Sequence, residues 1–255
     1  MWVFAPSAAA GVPVLDGAEI VPLEVDDALG RYPFGAKVLA CARAEEAAAC
    51  RYGSLVWLSP QCLIVDAPDL LEPHRGIGAA LRPVHIRNVG SRTDRPPDDY
   101  WRAIYRTVGL DDAPFSVESL VDPEAIRPYY NTHLFSVDPS AGLLRVWLSH
   151  FRSMVADDAF QDGPCADGLH KVFLHQAILS ALVTKSLGPE RISELPLEYS
   201  YPLHLHSRVP PAVRPRALNQ LVCPVYEGAY EHPVTLGGMA VEDPLDAWLE
   251  EHAPR

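Results

Sequence analysis

The side chains able to do chemistry are scattered along this chain rather than gathered in one motif. Lys37 lies in an alanine-rich stretch and offers the single ammonium that a bound phosphate or diphosphate would want as counter-charge. Ser59-Pro60-Gln61 is a polar turn between two apolar runs in residues 53–65 (GSLVWLSPQCLIV). Ser59 and Gln61 can hydrogen-bond to hydroxyls but ligate a hard dication poorly, and Pro60 has no N–H to offer. Asn131 and His133 stand two apart in YNTH, so on a strand they share a face. His175-Gln176 occurs in a helical stretch, where the imidazole could act as a general base or simply hydrogen-bond a ligand. His204 and His206 alternate, as two metal ligands on one strand face would, but no third ligand accompanies them. Arg82, Arg87 and Arg92 could form a basic wall or ordinary surface. Cys62 has no identifiable base and reads as a small core residue.

These residues need elements to hold them. Apolar, β-rich runs predict strands at 2–5, 18–23, 55–58, 62–65, 80–84, 129–137, 191–195 and 218–226. Helical spacing predicts helices at 33–50, 99–108, 140–155 with Ser140 as cap, 169–186 and 244–252, with a helical turn at 67–71. Residues 157–168, acidic and glycine-bearing, read as a loop. Strands alternating with helices argue for an α/β fold, a mainly parallel sheet flanked by helices on both faces. Such sheets bind ligands at the carboxyl ends of their strands, so the turn after Leu58 is a first place to look.

Composition narrows the partners. With 255 residues, 48% of them hydrophobic, the chain can bury a real core. A formal net charge of -12 opposes nucleic acid and anionic membrane surfaces. Five cysteines without a CxxC pair argue against a disulfide framework or a zinc site and for a reducing, cytoplasmic setting. The start, MWVFAPSAAAGVPVLDG, has no basic region and is broken by Pro6, Gly11 and Pro13, so no signal peptide is expected; no run is long enough to predict a transmembrane segment. The 25 prolines gather in connections such as Pro96-Pro97 and residues 209–215. GxSxG, GxGxxG and GxxxxGK[ST] are all missing, which disfavours a hydrolase or dehydrogenase.

Several segments taken in order carry a resemblance. They are the lysine-bearing PFGAKVLACARAEEAA, the strand and turn GSLVWLSPQCLIVDAP, Tyr130-Asn131-Thr132-His133, Asp138-Pro139, Leu143–Trp147, FLHQA at 173–177 and LPLEYSYP at 195–202. Together they resemble the GT-A fold nucleotide-diphospho-sugar transferases of the glycogenin-like, family 8 type, over about residues 30–205. The resemblance implies a Rossmann-like sheet in a single domain, with residues 1–95 as a nucleotide-binding half and 96–255 as an acceptor-side half. The first strand of the former would fall before Trp2.

The resemblance also implies a UDP- or GDP-linked sugar as donor, an acceptor of unknown nature and transfer of a hexosyl group. Lys37, Ser59, Gln61, Asn131 and Gln176 would contact the donor, and Gln176, His175 and His133 are the catalytic candidates. The chain departs from the family where charge matters most. The metal-binding Asp-x-Asp falls on Ser59-Pro60-Gln61, and His175 replaces the aspartate of an Asp-Gln pair. No cofactor is expected, since Mg²⁺ or Mn²⁺ would have lost its carboxylates. Either transfer proceeds without the metal, or the fold serves as a binding or scaffolding module.

Overall fold

The computed structural model describes residues 1–6, 16–72, 76–226 and 238–252. Residues 7–15, part of the stretch read for a signal peptide, lie outside them. In chain order the elements begin with strands β1 (Trp2–Pro6) and β2 (Glu19–Leu23), helices α1 (Asp27–Arg31) and α2 (Gly35–Ala48), and strands β3 (Leu55–Leu58) and β4 (Ala79–Pro83). Helix α3 (Asp99–Val108) follows, then the short strands β5 (Val117–Glu118) and β6 (Ala125–Ile126) and the long β7 (Tyr130–Val137). Helices α4 (Leu143–Val155), α5 (Asp158–Asp162) and α6 (Gly168–Ser186), strands β8 (Ile192–Glu194), β9 (Tyr199–Pro202) and β10 (Cys223–Val225), and helix α7 (Leu245–His252) complete the series.

The central sheet has the order β3-β7-β4-β8. It is mixed, which corrects the expectation of a mainly parallel sheet: β7 runs antiparallel to both β3 and β4, and only β4 and β8 are parallel. The alternation of strand and helix breaks between β4 and β7, where α3 is followed by the β5–β6 hairpin and the chain re-enters the sheet from its other end. A buried strand carries no sign of its direction. Seven of the eight residues of β7 are buried, so both faces read as apolar.

Other departures are local. Residues 62–65 do not form a strand of the central sheet but lie along β10, joined by a bridge between Cys62 and Val225. Residues 218–226 begin as a 3₁₀ turn, Leu218–Gln220, before β10. The expected loop at 157–168 holds α5, capped by Asp157. Ser140 is not the cap of a helix beginning there, because the chain first makes a 3₁₀ turn, Pro139–Ala141, capped by Asp138.

The core forms where α2, α4, α6 and α3 pack in series beside the sheet, with α6 against β7. Small residues let α2 come close, and Ala40, Ala44 and Ala48 are all buried. Gly35 is required at its start, since a Cβ there would lie 2.2 Å from Leu29 O. Trp101 and Trp147 are fully buried and spend their indole N–H groups on Val89 O at 2.5 Å and His175 O at 2.8 Å. Among the described residues no helix is long and apolar enough to cross a membrane.

Candidate functional site

A cavity of about 440 Å³ opens at the carboxyl end of β3, where the sheet meets α2 and α6. The β3 ladder continues one step past Leu58, with Ser59 N donating to His133 O at 2.8 Å. Cys62 N then donates to Ser59 O at 2.9 Å and closes the turn. Ser59, Pro60 and Gln61 form one wall of the cavity. Lys37 rises from α2, Thr132 and His133 come from β7, and Val172, Phe173, His175 and Gln176 come from α6. Phe4, Leu23, Val25 and Trp57 make the rest of the surround mostly apolar.

Lys37 is half-buried, and its ammonium donates to Thr132 O. It lies 5.5 Å from the Trp57 ring centroid and 5.8 Å from that of Phe34. Rings stabilise a cation but hydrate it poorly, so burial pulls the lysine down to about 8, opposed by the nearby Cys41 and Cys62. At neutral pH the group is still mainly protonated, and it is the one lysine or arginine of the described lining.

His175 is held neutral, its pKa pushed far below normal by burial and by Lys37. Its Nδ1–H donates to Val172 O at 3.0 Å, which leaves Nε2 to accept from Thr132 Oγ at 3.0 Å. The lone pair a general base would need is therefore already engaged. Thr132 also lies 3.3 Å from Gln176 Oε1, and its one proton cannot serve both partners. Turning the Gln176 amide satisfies the pair, with the amide N–H donating to the hydroxyl. Phe34 covers His175, ring on ring, with centroids 4.3 Å apart. It is 47% exposed at the lip of the cavity and holds a left-handed backbone conformation (φ 61°) that a non-glycine residue adopts at a cost of about 1–2 kcal/mol.

Lys37, Ser59, Gln61, His133, His175 and Gln176, all named from the sequence, thus surround one cavity. Asn131 stands behind it. Its Oδ1 accepts from His133 N at 2.7 Å and its Nδ2 donates to His85 Nε2 at 2.9 Å, so it orients the strand that carries His133. The arginines are elsewhere: Arg82 donates to Leu195 O at 3.0 Å, Arg87 pairs with Glu124 at 2.8 Å, and Arg92 pairs with Asp94 at 2.9 Å. His204 and His206 do not share a strand face, since they lie in a 3₁₀ helix, Leu203–Arg208, where residues two apart diverge. His204 is exposed, while His206 is buried with Nδ1 2.8 Å from Tyr201 Oη. Among the described residues no group of three or more histidine, cysteine, aspartate or glutamate side chains could hold a metal.

Phe34, Trp57 and Thr132 were not legible as site residues. Trp57 sits in LVWL, which reads only as a buried strand, and nothing in the sequence marks Phe34 as left-handed. No described residue lining the cavity is a carboxylate. The cavity can therefore bind a flat or apolar body together with one anionic group opposite Lys37.

A family model described as the Rhodobacterales glycosyltransferase domain matches residues 8–188. No curated protein matches. Among solved structures, the apo form of mouse xyloside xylosyltransferase 1 is similar at 12% sequence identity, with a TM-score of 0.39. The match covers 73% of this chain and 65% of that one.

Proposed function

The chain belongs to the Rhodobacterales glycosyltransferase domain family, and we propose that it binds a nucleotide-linked sugar in the cavity under Phe34. In this reading the domain is a divergent GT-A-type transferase. Lys37 faces the diphosphate in place of a metal bound by two carboxylates. The carrying observation is a cavity walled by Ser59-Pro60-Gln61 and Lys37 that has no described carboxylate. Departure of a nucleoside diphosphate leaves negative charge on phosphate oxygens, and an ammonium in a poorly hydrated setting stabilises it. Ser59, Gln61, His133 and Gln176 supply hydrogen-bonding groups suited to hydroxyls. The five free cysteines support a reducing, cytoplasmic setting.

The test is a thermal-shift titration with UDP- and GDP-sugars, in chelator and in Mn²⁺. At a hundred times Kd, stabilisation of about 2.7 kcal/mol is expected, equal in both conditions. Stabilisation only with Mn²⁺, or by no donor at all, would sink the metal-free site. The engaged lone pair of His175 favours a second reading, a binding module that holds the donor without transferring it. Metal-independent binding with the sugar never released or transferred would select that reading.

Phe34 gives a sharper check. Phe34→Gly and Phe34→Ala both remove the ring, but only glycine relieves the left-handed strain. The glycine variant is expected to be more stable than the alanine variant by about 1 kcal/mol in denaturant unfolding. Both are expected to bind the donor roughly tenfold more weakly, through loss of a stacking surface of about 1–3 kcal/mol. Unchanged affinity in both would show that the ring only covers His175.

A further inference from the structure

Cys62 directly follows the turn that walls the cavity. Its thiol donates to His133 O at 3.6 Å, the same carbonyl that takes the Ser59 N–H. Beyond it the chain runs antiparallel beside β10, with Leu63 N donating to Pro224 O at 3.0 Å and Val65 N to Val222 O at 2.9 Å. Cys62 faces Val225 in this pairing. Cys223, two residues before Val225, therefore stands diagonally opposite Cys62 on the same face. The two pack in one apolar cluster with Leu58, Leu134 and Tyr199. Both are free; Cys223 is fully buried and Cys62 half-buried.

We propose that Cys62 and Cys223 are a redox-active dithiol, oxidised to a disulfide by low-molecular-weight disulfides, and that the bond re-sets the Ser59–Gln61 turn. The inference stands apart from the donor reading, since it needs no ligand in the cavity. The Cys62 thiolate attacks one sulfur of the incoming disulfide and expels the other as thiolate, giving a mixed disulfide. The Cys223 thiolate then attacks the Cys62 sulfur and expels the second small thiol. Two protein thiols lose two electrons and two protons, and one small disulfide becomes two thiols.

Sharing one proton lets the pair lose its first proton more easily and holds the second back, with Cys223 shifted down and Cys62 up. The proton shared with Cys223 and burial hold the Cys62 thiol up, opposed in part by Ser59 and the Lys37 ammonium, so its attack draws on a minor thiolate form. Cys41 also feels the Lys37 ammonium, but burial outweighs it and pushes that thiol up to about 12. Diagonal cross-strand Cα atoms stand roughly 7–8 Å apart, beyond the roughly 4.4–6.8 Å of a relaxed disulfide. Closure must therefore draw Cys62 toward β10 and away from His133 O. A bond formed under that strain is easily reduced, which suits a reversible switch rather than a staple.

The experiment uses the full chain carrying Cys50→Ser, which removes the exposed thiol. The folded protein is treated with oxidised glutathione, quenched in acid and unfolded. Titratable thiols are expected to fall from four to two, with a Cys62–Cys223 cross-link in peptide maps, slower amide exchange at 59–63 and full reversal by dithiothreitol. With Cys223→Ala added, glutathione is expected to remain on Cys62. Four surviving thiols, a lasting glutathione adduct on Cys62 while Cys223 is present, or cross-links through Cys41 or Cys165 would each overturn the proposal. The parent result decides it even if the alanine variant fails to fold.

Discussion

Lys37→Met is expected to make the free protein more stable at pH 7 and to remove most of its affinity for a nucleoside diphosphate. The two effects have one cause. The folded protein holds the ammonium in a setting that lowers its pKa from 10.5 to about 8, whereas the unfolded chain leaves it in water. Below pH 8 the lysine is charged in both states, and the folded state bears the full desolvation penalty, about 3 kcal/mol for a shift of this size. The bond to Thr132 O and the facing rings offset part of it, so a net gain of about 1–2 kcal/mol is expected for methionine. The sign follows from proton counting. Between about pH 8 and 10.5 the unfolded chain binds more protons, so wild-type stability rises with pH across that window, and the methionine variant lacks the slope. Binding runs the other way. A diphosphate selects the protonated lysine, so wild-type affinity should fall about tenfold per pH unit above pH 8. The variant should bind about 10–100-fold more weakly at pH 7, with a flat profile. Calorimetric titration at pH 7 and 9 with urea unfolding of both proteins reads all of this. A variant that is less stable at pH 7 yet binds normally would mean that Lys37 is a structural strut.

Lys37, Ser59, Gln61, His133, His175 and Gln176 were legible because their order along the chain follows a pattern, and the fold brings that pattern to one place. What escaped depends on distant parts of the chain meeting. The direction of β7 was hidden because a strand buried on both faces reads the same either way. The alternation of His204 and His206 suggests one shared face only if the backbone is extended, whereas Leu203–Arg208 forms a 3₁₀ helix. Phe34 is left-handed where the chain turns into α2 against Leu29, a contact that local sequence does not announce. Asn131 was named for the ligand, yet its two hydrogen bonds go to His85 and to the backbone of His133. The cap of α4 was sought at Ser140, within the chain's own neighbourhood. It comes instead from Glu45, a hundred residues upstream.

Glu45→Ala is accordingly expected to be among the most damaging single changes outside the large core residues. Its side chain is fully buried on α2, the helix that carries Lys37. Its two oxygens accept from Leu144 N and Arg145 N, both at 2.9 Å, and Oε2 accepts also from Arg145 Nε at 3.2 Å. The N-terminus of α4 has no side-chain cap of its own, because Gly142 stands there. One carboxylate therefore satisfies two otherwise unpaired amides and places negative charge at the positive end of the helix dipole. Alanine leaves Leu144 N buried without an acceptor and opens a gap between α2 and α4. Each unpaired amide costs about 1–3 kcal/mol, so a loss of about 2–4 kcal/mol is expected, lowering Tm by roughly 5–15 °C. Arg145→Ala separates the cap from the ion pair. Arg145 is half-exposed, and its removal should cost under about 1 kcal/mol. If the two variants lose the same stability, the ion pair rather than the cap joins the helices. If Glu45→Ala alone is strongly destabilised, the position of Lys37 at the cavity rests on a helix cap supplied from across the core.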